Sequence, residues 1–382
     1  MLPPTKPCIS ALPAATSTCL MPKAGRQFIT IISILKAVKM TKQDITLITR
    51  LCSELPPVSD ATLREILQAE RSSEVHRHYM QLPCMHSIEY GNATHGQCLS
   101  ADFRVVAWNL ERCLDVNASA VLLRQYQPDI VLLSEMDNGM ARTQQRHTTQ
   151  ALAQELDMYY LYAVEFLELD LGSEIERKLA SDDFNCKGWH GNAILSKVPF
   201  KSAAMLRFDD HGHWFNGQKV GNHFGEARIG GRMALLAEVA TAQGNLLLVS
   251  THLESNVNQN LAYREQQMRT LAQACQQFRP DLPVIIGGDL NSGNNLADGL
   301  DHRAEPLFAA MEQVGYHWQA NPPGVTTHQS RITLRQGRQQ KLDWFCAKDI
   351  QCSHREILSA FTPDGTPLSD HEPILADWVY PK

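Results

Sequence analysis

An apolar run that stops on polar groups, Pro283-Val284-Ile285-Ile286-Gly287-Gly288-Asp289-Leu290-Asn291, constrains this chain more than any other segment. Val284, Ile285 and Ile286 have the β-branched, uninterrupted pattern of a strand covered on both faces, which calls for a layered fold around a sheet. Gly287 and Gly288 lack a Cβ and let the backbone leave the sheet there. Asp289 and Asn291 then fall at the carboxyl end of a core strand. Two residues apart in an extended segment, they point the same way and bring a carboxylate acceptor and a mixed donor/acceptor to one pocket. Such a pair can hold a water and a phosphoryl oxygen together. Taken alone, the segment reads equally well as a turn; the rest of the chain decides between the two.

The chain has 382 residues, long enough for one large domain or two small ones, and its 43% hydrophobic content supports a substantial core. With 35 Lys and Arg against 41 Asp and Glu the formal net charge is −6, so the overall field does not gather nucleic acid nonspecifically; a local basic groove would be needed. Ten cysteines occur without a Cys-x-x-Cys pair, and Cys113 and Cys346 sit in apolar strand-like runs. They read as buried thiols in a reducing cytoplasm rather than zinc ligands or a disulfide framework. No apolar run reaches the roughly 18 residues of a spanning helix, and Phe28 to Val38 is interrupted by Lys36. That run follows Lys23 and Arg26 like a signal-peptide core, but Lys39-Met40-Thr41-Lys42 offers no small-x-small cleavage site, which argues against export. Nothing specifies a protein partner, and a monomer is the default.

Residues 1–39 are rich in Pro, Ala, Ser and Thr without a period, the composition of a disordered segment. Met40 is a candidate for the true start. Residues 40–100 read as a helical N-terminal extension: Ile45, Leu47, Ile48 and Leu51, then Leu63, Ile66 and Leu67, fall at helical spacings around Pro56-Pro57, with Ser59 or Asp60 as N-cap. Residues 101–382 form the expected catalytic domain. Strands are expected at Arg104 to Leu110, Asp129 to Glu135, Tyr159 to Leu167, Ala193 to Ser196, Ala234 to Ala240, Leu246 to Thr251, Val284 to Gly287, Leu342 to Ala347 and Pro373 to Trp378. Helices are expected at Val116 to Gln127, Gln144 to Leu156 and Asn258 to Phe278, and the polar stretch Glu168 to Trp189 reads as a long loop on the active face. This order fits a layered α/β or α+β domain.

Several strand candidates end on ionisable or amide groups: Asn109 and Glu111, Glu135, His252, Asp289 and Asn291, with Asp343 opening one and Asp370-His371 preceding the last. Singly, Glu135 reads as a solvated strand end, His252 as a satisfied core histidine, Asp343 as a turn former and Asp370 as a cap. Together, the carboxylates Glu111, Glu135, Asp289, Asp343 and Asp370 would repel one another at one site unless a cation relieved them. Oxygen ligands of this kind suit Mg²⁺, with Mn²⁺ as substitute, rather than zinc. Arg232, which opens an apolar strand, either aims at phosphate or makes a surface ion pair. Asn192 lines the pocket or simply enters a strand. His190, His211, His213 and His223 read as loop histidines, without a third ligand to make His211-Gly212-His213 a metal site.

In these motifs the sequence resembles the endonuclease/exonuclease/phosphatase superfamily with the deoxyribonuclease I-like fold, over about Phe103 to Trp378. The matching parts occur in family order: Trp108-Asn109-Leu110-Glu111, the strand ending in Glu135, Gly191-Asn192-Ala193-Ile194-Leu195-Ser196, Ser250-Thr251-His252-Leu253, Gly288-Asp289-Leu290-Asn291, Leu342-Asp343 and Ser369-Asp370-His371. The resemblance implies a four-layer α/β (α+β) sandwich, two packed mixed sheets flanked by helices. It implies Glu135 as principal Mg²⁺ ligand with Asn109 and Glu111 nearby, and Asp370 beside the metal. It gives Asp289 and Asn291 the water and phosphate, His371 the scissile phosphate with Asp343 fixing its tautomer, and His252 the phosphate or leaving oxygen. The implied activity is metal-assisted in-line hydrolysis of a phosphodiester, in its most familiar form by a nuclease. Sphingomyelinase-type or inositol-phosphatase-type action on a lipid headgroup or small phosphoester is the alternative, and a noncatalytic binding protein on the same fold is a third reading. Charge relief on nonbridging oxygens, an aligned water and a stabilised leaving alkoxide are what such a reaction requires.

Overall fold

Apolar runs become strands in this protein wherever both faces find cover. The computed structural model describes residues 45–91, 96–216, 227–255, 261–293, 301–334 and 339–381. The expected disordered segment 1–39 and the candidate start at Met40 lie outside the described residues.

In chain order the strands begin with β1 (Leu47–Ile48), β2 (Leu51–Cys52), β3 (Ile88–Gly91), β4 (Asp102–Arg112) and β5 (Ile130–Asn138). They continue with β6 (Tyr159–Glu168), β7 (Trp189–Ser196), β8 (Phe200–Arg207), β9 (Arg228–Gly230) and β10 (Met233–Thr241). The last are β11 (Gly244–Thr251), β12 (Val284–Asp289), β13 (Asp343–Lys348), β14 (Gln351–Ile357) and β15 (Ile374–Val379). The helices are α1 (Asp60–Gln68), α2 (Ser73–Tyr79), α3 (Val116–Tyr126), α4 (Thr148–Leu156), α5 (Glu174–Leu179), α6 (Leu261–Phe278) and α7 (Pro306–Glu312).

One sheet has the order β1-β8-β10-β11-β12-β13, and the other β14-β15-β4-β5-β7-β6-β3-β2 with β9 added beside β6. Both are mixed: β11/β12 and β4/β5 run parallel, most other pairs antiparallel. Period-two alternation builds the layers. Val105, Ala107, Leu132, Leu235, Leu248 and Ile285 face one another between the sheets. Val106, Trp108 and Leu133 turn outward against Ala120 and Leu123 of α3 and Leu152 of α4. Leu247, Val249 and Ile286 turn the other way, against Met268 and Leu271 of α6 and Phe308 of α7. The result is a four-layer α/β sandwich of two packed sheets with helices outside.

β12 is buried along its whole length, but the glycines do not release it from the sheet. Pairing continues through Gly288 opposite Trp344 and Asp289 opposite Asp343. The glycines serve close approach instead. A Cβ on Gly287 would lie 2.8 Å from Leu132 of the opposite sheet, and one on Gly288, at φ +147°, would lie 2.0 Å from the Thr251 carbonyl.

The N-terminal region departs from expectation. No helix covers Ile45 to Leu51; Leu47 and Ile48 pair with Leu206 and Met205 at the edge of the first sheet, and Leu51 and Cys52 pair with β3. A few apolar residues read as one helical turn or as two strand stubs, and available sheet edges settle the matter. After Pro56-Pro57, Ser59 does cap α1, accepting from the Thr62 N–H at 3.1 Å. Ile66 and Leu55 join the core with Trp108. The polar stretch after β6 contains α5, set by a capping box between Ser173 and Glu176. Cys113 and Cys346 are buried, and burial raises both thiols.

Candidate active site

Strand ends from both sheets meet at Asp289. Its Oδ1 accepts the Asn291 N–H at 2.8 Å. Its Oδ2 accepts from Asn109 Nδ2 at 3.2 Å and lies 3.4 Å from His252 Nε2 and 3.7 Å from His371 Nε2. The second hydrogen of Asn109 Nδ2 goes to Glu135 Oε1 at 3.2 Å, so one amide joins β4, β5 and β12. Asp343, opposite Asp289 on β13, sits 2.8 Å from His371 Nδ1. The Ser369-Asp370-His371 segment is pinned to β4: Ser369 Oγ donates to the Asn109 carbonyl at 2.6 Å, and Trp108 Nε1 to that of His371 at 2.8 Å.

Irregular backbone aims these groups. Register shifts between Asn109 and Arg112 on β4 and between Leu133 and Met136 on β5 set Glu111 and Glu135 out of the ladder. Glu111, Arg112, Cys113, Glu135 and Asn291 all hold positive φ, between 40° and 77°. Such backbone costs free energy and gathers at functional sites. It also corrects the expectation for Asn291. The strand ends at Asp289, and Asn291 is left-handed instead of extended, its side-chain amide donating at 3.0 Å to the carbonyl of Leu253, the neighbour of His252. Its backbone N–H braces Asp289 Oδ1.

Charge at the site is unbalanced in a specific way. Burial pushes the Asp289 carboxyl up to about 7, with the His371 charge opposing and Asp343 adding to the rise. Burial and then the nearby Asp370 push Glu111 up to about 8, and burial also raises Asp370. Thr333 Oγ1 stands 2.9 Å from Glu111 Oε1 and 2.8 Å from Asp370 Oδ2, yet has one proton to give. Two ionised carboxylates cannot share it without a further positive charge. Against a burial cost that would lower it, Asp343, Asp289 and Asp370 hold His371 well above the ordinary histidine range. Glu135 is held well below its usual range against burial, chiefly by the Arg112 guanidinium with which it pairs.

Arg112 belongs to a buried network that the sequence motifs did not mark. It pairs with Glu176 at 3.0 Å; Arg142 pairs with Glu176, Glu168 and Asp137 at 3.0, 2.7 and 2.8 Å. Arg142 and Glu176 lie in polar stretches with no period; the Ser-x-x-Glu spacing of a capping box from Ser173 was a local signal for Glu176, and Arg142 had none. Glu165 and Ser330 were missed as well. An acid inside the otherwise apolar β6 run was a signal for Glu165; Ser330, which donates to Glu111 Oε1 at 2.6 Å, had none.

The secondary candidates move. Arg232 is no surface ion pair: it is 4% exposed, with Nη1 2.8 Å from Glu165 Oε1 and 2.9 Å from His252 Nδ1. A strand opening into the interior hid that partner from sequence reasoning. Asn192 is buried on β7 and donates to the Met233 carbonyl at 3.3 Å. His190 is a strand residue, not a loop one, 2.9 Å from Asp137 Oδ1. His211 pairs with Asp209 at 2.7 Å and its ring stacks on His213 at 4.6 Å. His223 lies outside the described residues. Among the described residues, Asp289, Asp343 and His371 offer ligand atoms within 4.8 Å of one another, whereas His211 and His213 are in no such group.

A family model described as Endonuclease/Exonuclease/phosphatase family matches residues 106–382. The chain belongs to this family. Every site residue from Asn109 to His371 lies within the matched span, and the family is named for cleavage at phosphate esters. Among solved structures, an endonuclease/exonuclease/phosphatase from Beutenbergia cavernae DSM 12333 is 18% identical over 73% of this chain and 72% of that one, with a TM-score of 0.50. This likeness identifies the deoxyribonuclease I-like fold. D. rerio TDP2 humanized by 14 mutations is 19% identical over 73% of this chain and 99% of that one, TM-score 0.45. The human Nocturnin catalytic domain with bound sulfate anion is 16% identical over 77% and 98%, TM-score 0.49. A search of curated proteins gives no match. No helix among the described residues is long and apolar enough to cross a membrane.

Proposed function

We propose that the protein is a Mg²⁺-dependent phosphoesterase that hydrolyses a phosphodiester by in-line attack of water. The observation that carries this reading is the convergence on Asp289 of one amide and two imidazoles, from β4, the end of β11 and the segment before β15. Asp289, pushed up to about 7, has the basicity of a base working near neutrality and takes the proton of the attacking water. Asn291 N–H and Asn109 Nδ2 orient its two oxygens. His371, with Nδ1 held by Asp343, presents Nε2 to the phosphoryl group. Asn109 also braces Glu135.

The donor set fits a hard cation. Glu111, Asp370 and Glu135 offer oxygen ligands, and the single Thr333 hydroxyl that Glu111 and Asp370 share supports a further cation beside them. These three residues would hold Mg²⁺, with Mn²⁺ as substitute; the ion supplies charge relief on the phosphate oxygens. A net charge of −6 weakens nonspecific DNA binding and keeps a lipid headgroup or small phosphoester as the second substrate class.

Cleavage should be compared on plasmid DNA, RNA, sphingomyelin and inositol phosphates, with Mg²⁺ and with EDTA. Hydrolysis of at least one ester that stops on chelation is expected. Activity that survives EDTA would refute the metal mechanism, and inertness across the panel would favour a binding role.

A further inference from the structure

The geometry points to Arg232 and Glu165 as positioning residues that fix the tautomer of His252, keeping its proton on Nε2 so that it meets the substrate as an uncharged hydrogen-bond donor. The inference rests on the phosphoesterase reading for its function, but not for its chemistry. A guanidinium has five N–H donors and no acceptor, and it stays protonated in proteins. Arg232 Nη1 lies 2.9 Å from His252 Nδ1. At that separation Nδ1 must accept, so it bears no hydrogen, and the ring proton sits on Nε2. Nε2 is the atom that faces the pocket, 3.4 Å from Asp289 Oδ2.

Glu165 explains why the arginine is there. It lies at the register shift of β6 between Val164 and Phe166, completely buried, with Oε1 2.8 Å from Arg232 Nη1. Its Oε2 is 3.8 Å from His252 Nδ1, beyond hydrogen-bond length. With no arginine between them, the carboxylate would be the direct neighbour of Nδ1 and would select the Nδ1–H tautomer, as Asp343 does for His371 at 2.8 Å. The interposed cation reverses that choice. Its own position is fixed from several sides: the guanidinium lies 5.2 Å from the Trp214 ring and 5.6 Å from that of Phe166, and Nη2 donates to Ser255 Oγ at 3.2 Å. The two histidines beside Asp289 thus have opposite partners at Nδ1, a donor for His252 and an acceptor for His371.

A purely structural role, in which Arg232 only neutralises buried Glu165, predicts no tautomer preference. Nitrogen-15 NMR of the histidine rings in the full chain separates the two, with the His252 signals assigned by their loss in His252→Gln. The expected spectrum shows an unprotonated Nδ1 and a protonated Nε2 in the wild type and in Arg232→Lys, since lysine is also donor-only. Arg232→Met leaves Glu165 facing the ring and should move the proton to Nδ1. The double variant Glu165→Met/Arg232→Met removes both buried charges together, so it stays readable if the single variant does not fold, and should lose the fixed tautomer. With an ester substrate, Arg232→Met should lower kcat by about 10²-fold, the scale of one misdirected donor, more than it changes KM. A wild-type His252 protonated on Nδ1, or a tautomer unchanged in both methionine variants, overturns the proposal. Because the spectra need no turnover, inertness on every ester would count against the enzymatic reading alone.

Discussion

His371 shows how single side chains carry the site. Its imidazole is positioned by one bond, 2.8 Å from Nδ1 to Asp343 Oδ2, and that carboxylate is fully buried. Asp343→Asn keeps the shape but removes the charge that favours the protonated ring, and His371→Ala removes the ring itself. Each is expected to lower kcat by roughly 10²–10⁴, the usual contribution of a placed acid or base, with an unchanged circular dichroism spectrum. Near-normal turnover in His371→Ala would take that residue out of the mechanism. At this scale the motif residues were legible because each closes an apolar run with a group that a buried strand does not otherwise tolerate. Arg112 and Thr333 were not, because their importance comes from partners distant in sequence: Thr333 meets Glu111 and Asp370, and Arg112 meets Glu135 and Glu176.

Strands and helices answer to different information. β4, β5, β11 and β12 were readable from uninterrupted apolar residues, whereas β1 and β2 are two residues each and owe their conformation to the edges they complete. α5 lay hidden in a polar stretch, because what stabilises it is charge pairing rather than an apolar stripe. Arg142 ties that helix to β5 and β6 through Glu176, Asp137 and Glu168, all buried. Arg142→Met would strand those carboxylates without a counterion, and urea unfolding should report a loss of about 3–5 kcal/mol, the cost of breaking a buried pair from one side. A loss near zero would mean that the carboxylates take up protons and Arg142 contributes only packing.

Over the whole molecule, the acids divide by the sign of their shift. Glu135, Glu168 and Glu176 are depressed, Glu176 to about 2, so their contribution is present above the ordinary carboxylate range and is lost as pH falls toward 2. Glu111, Asp370 and Asp289 are raised, to about 8 for Glu111 and about 7 for Asp289, so their ionisation costs the fold stability as pH rises from the ordinary range through about 8. A divalent cation reverses that cost only where they are ionised. Mg²⁺ should therefore raise Tm at pH 8.5 by linkage, about 2.7 kcal/mol at a hundredfold excess over Kd, and much less at pH 5.5. Scanning calorimetry with and without Mg²⁺ tests this, and an equal rise at both pH values would contradict it. By itself the sequence determined the layers, the order of the motifs and the identity of the groups at the strand ends, because period-two burial and strand-terminal polarity are local properties. Only the tertiary structure decided which of those groups touch, that the backbone leaves the extended form at Asn291, and that a buried arginine stands between Glu165 and His252. Such contacts join strands from two sheets, and no local pattern records the partner waiting across the core.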